Sequence, residues 1–260
     1  MRDYEWFKDQ VYRISGINLS YYKEKQMKRR IDALISKHGI AGYESFIEVI
    51  KNNINMYNEF INYLTINVSE FYRNPEQWEI LKNDIIPMLL KDGHSLKVWS
   101  AACSSGDEPY TLVMILNKFL PLKDIKIIAT DIDKEVLEKA KKGVYTEKSV
   151  ENLPKEYIKQ YFNSVHNMYE IKSEVKNCIE FKNHNLLADE YPKGMDLIVC
   201  RNVLIYFTEE AKNLIYTQFN ESLKPQGVLF VGNTEQIILA NKYNLKAIKT
   251  FFYVKENQTI

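Results

Sequence analysis

The hydrophobic period changes near residue 66, and that switch limits what the chain can fold into. Before it, apolar residues recur every three to four positions: Phe7, Val11 and Ile14; Met27, Ile31, Leu34 and Ile35; Tyr43, Phe46, Ile47 and Ile50; Met56, Tyr57, Phe60, Ile61 and Leu64. Each set shares one helical face. Gly16, the His38–Gly39 pair and the Asn52–Asn53 pair punctuate the runs as stops or turns, predicting about four short helices over residues 1–66. From Leu96 onward, the runs LKVWSAAC, IKIIAT (125–130), MDLIVC (195–200) and GVLFVG (227–232) read as buried strands. Helical stretches separate them: one from about Asp107 to Phe119, one with Val136, Leu137 and Ala140, and one after Thr208 with Glu209 and Glu210 in its first turn. Strands alternating with helices predict an α/β domain over 67–260, a doubly wound and mostly parallel sheet. TFFYVKE closes it as one more strand-like run. Between Gly143 and Asn185 the rhythm lapses into a polar stretch with weak strand signals, read as a strand-rich insertion at about 144–181.

Composition excludes several classes. No apolar run approaches the roughly 18–20 residues that a membrane span needs, and the charged N-terminus MRDYEWFKDQVYR is no signal peptide. Three cysteines without a CxxC (Cys103, Cys178, Cys200) predict a reduced, cytoplasmic protein. His38, His94, His166 and His184 show no metal-ligand spacing, so no metal site is expected. A net charge of +1 argues against nucleic acid as partner, but residues 21–38 carry +4 (Lys23, Lys25, Lys28, Arg29, Arg30 and Lys37 against Glu24 and Asp32).

Ligands of doubly wound sheets sit beyond the carboxyl ends of the strands. The first such turn, SAACSSGDEPY, offers small residues and a helix start. Asp107 and Glu108 already occupy that start with negative charge, so the expected guest is cationic or neutral rather than phosphate. An ordinary strand-to-helix turn is the plain alternative. Glycine fingerprints of dinucleotide folds and P-loops are absent, as is a nucleophile elbow, and Pro109 stands where a phosphatase loop at Cys103 needs arginine. At the second strand's tip, Asp131 is placed to accept ribose hydroxyls, and Asp133 is read as the cap of the following helix. The Arg201–Asn202 pair after a buried strand is costly unless hydrogen-bonded, and so faces a site. Asn185, Asn67 and Arg73 are weaker signals in comparable turns.

Taken together, NVSEFYRNPEQW, WSAACSSGDEPYTLVMIL, IIATDIDKEVLEKAKKGVY, DLIVCRNVLIYF and a GNTE turn resemble the chemotaxis receptor methyltransferases of the CheR type, over nearly the whole chain. The resemblance implies a class I methyltransferase-like sheet preceded by a small all-helical domain and carrying a small strand-rich insertion. It implies an enzyme that transfers methyl from S-adenosylmethionine to glutamate carboxylates of receptors, leaving S-adenosylhomocysteine. Carried over by position, the cofactor residues would be Asn67, Ser69, Arg73, Glu108, Asp131, Asn185, Leu186, Asn202 and Val203. Tyr206 would stand beside the transferable methyl and Arg73 would also orient the substrate carboxylate. Partners would be the cytoplasmic methylation helices of receptors, with no membrane insertion. Ser69 stands where many members have threonine. Some members bind a receptor tether peptide through glycine and arginine in the insertion; Tyr161 to Phe181 holds neither, so tether binding does not carry over. The basic helix 23–37, with Lys25 and Arg29 pointing away from its apolar face and Lys28 and Arg30 on its flanks, is expected to dock the receptor.

An adenine-type nucleic-acid methyltransferase would need a compact Asn/Asp-Pro-Pro-aromatic motif, which Asn202 to Tyr206 lacks. A non-catalytic cofactor sensor would bind without turnover.

Overall fold

In the first stretch of chain, the helical period builds four helices: α1 (Tyr4–Ser15), α2 (Glu24–Lys37), α3 (Gly42–Asn52) and α4 (Ile54–Thr65). Their apolar faces meet on Phe7, Phe46 and Phe60, all essentially fully buried, with Phe46 and Phe60 edge to face at 5.4 Å. Asp3 caps α1 through Trp6 N–H, Gly16 ends it in left-handed conformation, and Asn53 caps α4 through two amides. The computed structural model describes residues 2–91, 93 and 95–256; His94 lies outside the described residues.

The chain divides into two compact units. One holds the residues up to Asn67 together with Leu204–Ile215; the other holds Val68–Val203 and the chain from Tyr216 onward. The return of 204–215 to the helical unit was not legible in the sequence. It has a local cause: Tyr22 and Phe207 form an antiparallel bridge with their rings 4.9 Å apart, Lys23 N–H donates to Tyr206 O and Thr208 N–H to Tyr21 O.

The second unit is built on strands β1 (Lys97–Ala101), β2 (Lys126–Asp131), β3 (Val144–Thr146), β4 (Phe162–Val165), β5 (Met168–Ile171), β6 (Ile179–Asn183), β7 (Met195–Cys200), β8 (Leu223–Val231), β9 (Leu245–Lys249) and β10 (Phe252–Lys255). Seven form one sheet in the order β6-β2-β1-β7-β8-β10-β9. The first five run parallel, β10 runs antiparallel to β8, and β9 antiparallel to β10. β7 is buried at every position, as expected of a parallel strand covered on both faces. β3, β5 and β4 make a separate antiparallel sheet, the strand-rich insertion. Its extent is corrected: Ile179 to Phe181 belong to β6, paired with β2, so the insertion stops short of 179 instead of reaching 181.

Candidate active site

Strand order reverses between β1 and β7, and the crevice of such a sheet opens beyond the carboxyl ends of those two strands. There Ser69, Arg73, Ser104, Glu108, Arg201 and Asn202 line one cleft. The backbone around it is unusual. Tyr72, Asn74, Ala102, Ser104 and Asn202 all have left-handed φ, five of the twelve such non-glycine residues described. That conformation costs energy away from glycine and gathers where side chains must be aimed. At Gly106 (φ +91°) a Cβ would stand 2.9 Å from Ala140 Cβ, so only glycine turns the chain here from β1's loop into the helix Asp107–Leu116.

Two carboxylates stand at the cleft: Glu108 lines it, and Asp131 lies behind it, bonded to Ser104. Glu108, 13% exposed at its side chain, accepts from Ser100 Oγ at 2.8 Å and lies 4.0 Å from the Arg201 guanidinium. Burial nevertheless pushes its pKa up to about 7, against the pull of Arg201. Asp131 accepts from Ser104 N–H at 2.8 Å and Asp133 N–H at 3.0 Å, and burial pushes it up to about 6. Asp133 caps the helix Lys134–Lys142 through Glu135 and Val136 amides, leaving Asp131 as the acid at the strand tip. Cys103 is buried with its thiol pushed up, chiefly by burial and by Asp131, so it is no nucleophile.

The two arginines differ. Arg201, 7% exposed, donates through Nη2 to Arg73 O (2.7 Å), Gln77 Oε1 (2.9 Å) and Asn74 Oδ1 (3.2 Å), and its guanidinium sits 4.8 Å from the ring centroids of both Trp78 and Phe230. It ties the end of β7 to the loop entering the helix Pro75–Ile80. The Arg73 side chain is a third exposed and lightly held, with Nη1 3.4 Å from Val68 O and Nε 3.9 Å from Glu70.

Other residues named from the sequence fall as follows. Asn202 N–H donates to Glu235 Oε2 at 2.6 Å, and Val203 follows it. Asn185 and Leu186 come just after β6, beside Asp131 through the His184 N–H to Asp131 O bond; Asn185 Oδ1 closes a turn on Leu187 N–H. The Ser69 hydroxyl is engaged with the buried Asp107. Asn67, which donates to Thr65 Oγ1, and Tyr206 belong to the helical unit. On α2, the half-exposed Arg30 donates to the Tyr63 carbonyl at 2.6 Å and stacks on its ring at 4.6 Å. Lys28 pairs with Asp32 at 2.8 Å, whereas Lys25 and Arg29 are exposed.

Sequence reasoning left out Glu235. Its buried carboxylate accepts from Asn202 N–H and from Gly232 N–H at 2.9 Å, fastening the tips of β7 and β8 together. A Cβ at Gly232 would meet Glu235 Oε2 at 2.5 Å, so the glycine admits the clamp. The signal was the GNTE turn itself, a glycine three residues before an acid after a buried strand.

The Ser104 Oγ and Arg201 Nε atoms are buried with no hydrogen-bond partner, and both carboxylates are desolvated without full compensation. Such a cleft suits a guest bringing cationic groups and hydroxyls. A switch-point crevice, an acid at the second strand tip and two antiparallel closing strands make a doubly wound sheet whose ligand sits at this cleft. The model described as CheR methyltransferase, SAM binding domain, matches residues 67–253, and that described as CheR methyltransferase, all-alpha domain, matches residues 2–65. The chain is 42% identical over 255 residues to a chemotaxis protein methyltransferase of Listeria innocua, covering 98% of this chain and 97% of that one. Identity is 36% to one from Borreliella burgdorferi (94% and 91% covered) and 31% to one from Escherichia coli (95% and 88%). The chain belongs to the CheR methyltransferase family.

A pH dependence follows from Glu108. We propose Glu108 as a cofactor contact: a cationic cofactor would then be attracted to the ionised carboxylate only, and its binding would draw the proton off. Affinity for S-adenosylmethionine is expected to fall up to about tenfold per unit as pH drops below about 7, and to level off above it. Calorimetry in buffers of different ionisation enthalpy should register proton release near pH 6.5, a value set by the midpoint of about 7. An affinity constant from pH 5.5 to 8, a range spanning that midpoint, would rule the linkage out.

Proposed function

We propose that this enzyme moves the methyl group of S-adenosylmethionine onto glutamate carboxylates of chemotaxis receptors, in the cytoplasm, giving methyl esters. The observation that carries the reading is Arg73, a guanidinium on the cleft wall whose ion pair among the described residues, with Glu70, is a long 3.9 Å. Two parallel N–H donors suit a carboxylate. A glutamate carboxylate, with pKa about 4.3, is ionised at neutral pH and needs no base to attack. Ser69, Glu108, Asp131, Asn185 and Asn202, with Asn67, Leu186 and Val203, are assigned to the cofactor, and Tyr206 to the neighbourhood of the transferable methyl. The chemotaxis methyltransferases among the relatives support receptors as partners.

Chemistry at the reacting atoms is then a direct displacement: the carboxylate oxygen bonds to the methyl carbon as the carbon–sulfur bond breaks. Arg73 holds the carboxylate in line, and closure of the cleft around opposite charges withdraws water from both. A phosphate or nucleic-acid guest fits poorly against Glu108 and Asp131.

The test is incubation of the protein with methyl-labelled S-adenosylmethionine and membranes from cells lacking such an enzyme. Label should enter receptors and be released as methanol by mild alkali, the mark of a methyl ester. Alkali-stable label would mean another acceptor. The same assay checks the docking helix. Reversing Lys25 and Arg29 to glutamate should lower the rate severalfold at low salt and flatten its salt dependence, since exposed charges act through encounter rate and are screened beyond about 8 Å at physiological ionic strength. Cofactor affinity should not change. A double variant matching the parent across a salt series would remove α2 from docking.

A further inference from the structure

The turn after β1 holds three left-handed positions: Ala102 (φ +63°), Ser104 (φ +48°) and Gly106 (φ +91°). Only glycine adopts that region freely, so a turn of this shape persists where its surroundings hold it. β2 holds one side. Thr130 O accepts from Cys103 N–H at 2.8 Å, and the Asp131 carboxylate accepts from Ser104 N–H at 2.8 Å. The other side is held from the strand-rich insertion. Tyr145, the central residue of β3 and buried, donates from Oη to Ser105 O at 2.7 Å. A Cβ at Gly106 would stand 3.0 Å from that same Oη, so the turn is pressed closely against it. Burial raises the hydroxyl's pKa well above its ordinary value, and the group keeps its proton as a donor.

The ring of Tyr145 serves a second wall of the cleft. It meets Phe71 edge to face with centroids 4.7 Å apart, and Phe71 meets Phe162 of β4 at 5.6 Å. Phe71 is fully buried and lies two residues before Arg73. Ser69, Glu70 and Arg73 line the cleft from that loop, while Ala102, Cys103, Ser104 and Glu108 line it from the turn after β1. One side chain therefore touches both lining segments, with its hydroxyl on one and its ring on the other. Strand pairing does not call for the hydroxyl: β3 pairs with β5 along the backbone. A phenylalanine would fill the same space against Phe71, and among the described residues the hydroxyl's acceptor is the Ser105 carbonyl.

We infer that Tyr145 is a positioning residue for the cofactor, and that the strand-rich insertion braces the cleft through it. This rests on the reading of Glu108 and Asp131 as cofactor contacts. Ser105 sits between Ser104, which is bonded to Asp131, and Glu108 at the start of the next helix. A turn that relaxes at Ser105 shifts both contacts together, and a polar site loses affinity when its groups are displaced from their partners.

The experiment is calorimetric titration of the full chain with S-adenosylhomocysteine, alongside a melting curve for each variant. Tyr145→Phe removes the hydroxyl and leaves the ring on Phe71, so the protein should fold and the melting temperature should fall by a few degrees at most. Affinity should fall about fivefold or more, the effect of one lost hydrogen bond passed to the site. Ile171→Val removes one buried methyl from the same small sheet with Tyr145 in place; it should melt lower and bind as the parent does. Glu108→Gln tests the underlying reading and should weaken binding by itself. If Tyr145→Phe binds like the parent while Glu108→Gln does not, the brace is overturned and the cofactor reading stands. If neither loses affinity, the reading of this turn as the cofactor wall is overturned and the brace with it. An equal loss in Ile171→Val would make the effect one of general stability, and would also overturn the positioning role.

Discussion

Asp131→Ala should reduce affinity for S-adenosylhomocysteine by one to two orders of magnitude or more. A hydrogen bond to a charged acceptor contributes about 1.5–3 kcal/mol, and each 1.4 kcal/mol is tenfold in binding. A carboxylate at this strand tip can receive two ribose hydroxyls. The structure adds a cost that the sequence did not announce. Both carboxylate oxygens already accept backbone amides, from Ser104 at 2.8 Å and Asp133 at 3.0 Å, inside a site where Asp131 is 6% exposed. Alanine leaves those two amides without their acceptor, at about 1–3 kcal/mol of stability. The unit should still fold, melting several degrees lower, while binding collapses further than the stability loss explains. Asp131→Asn separates the two effects, because the amide oxygen can keep one backbone donor. Calorimetric titration of each variant with S-adenosylhomocysteine decides the matter: affinity equal to the parent's would remove Asp131 from the ribose.

Those paired amides illustrate what could and could not be read from the chain. Periodicity alone located the helical bundle and the buried strands, because burial dictates which positions are apolar. Phe7, Phe46 and Phe60 mark the bundle, and β7 is buried throughout and apolar at every position but Asp196. β9 escaped notice: LKAIK buries only its leucine, and an edge strand with lysines on it carries no periodic signal. Ile179 to Phe181 carry little strand signal because β6, also an edge strand, mixes half-buried and exposed residues. Asp131 and Asp133, two acids two residues apart, were separable by position alone, the first at a strand tip and the second before a helix. Arg201 and Glu235 were not. Their partners are the carbonyl of Arg73, 128 residues distant, and the amide of Asn202, 33 residues distant. No local pattern encodes such pairings. Likewise the bond from Arg30 to the Tyr63 carbonyl depends on how α2 packs on α4, which a helical wheel of α2 alone does not show.

Arg73→Ala should lower turnover about a hundredfold while changing S-adenosylhomocysteine affinity only a few-fold. The cleft's two guanidiniums are held very differently. Arg201 is enclosed between Trp78 and Phe230 and bonded to three acceptors, so it cannot follow a substrate. Among the described residues Arg73 has no acceptor closer than 3.4 Å, and a third of its side chain is in solvent, so little must be broken before it turns to an incoming carboxylate. Orientation of a reacting group within the cleft is a transition-state effect, and a misplacement of about 1 Å can cost a hundredfold in rate. Arg73→Lys keeps the charge and loses the paired donors, and should recover part of KM but little of kcat. Two results would reassign the residue. Equal losses in cofactor affinity and turnover would make Arg73 a cofactor ligand. A loss confined to KM, with kcat intact, would make it a docking charge that binds substrate and transition state alike. Glu70, 3.9 Å from Nε, supplies an internal check. Glu70→Gln removes the carboxylate nearest the Arg73 Nε, and should tighten substrate binding slightly if Arg73 receives the glutamate.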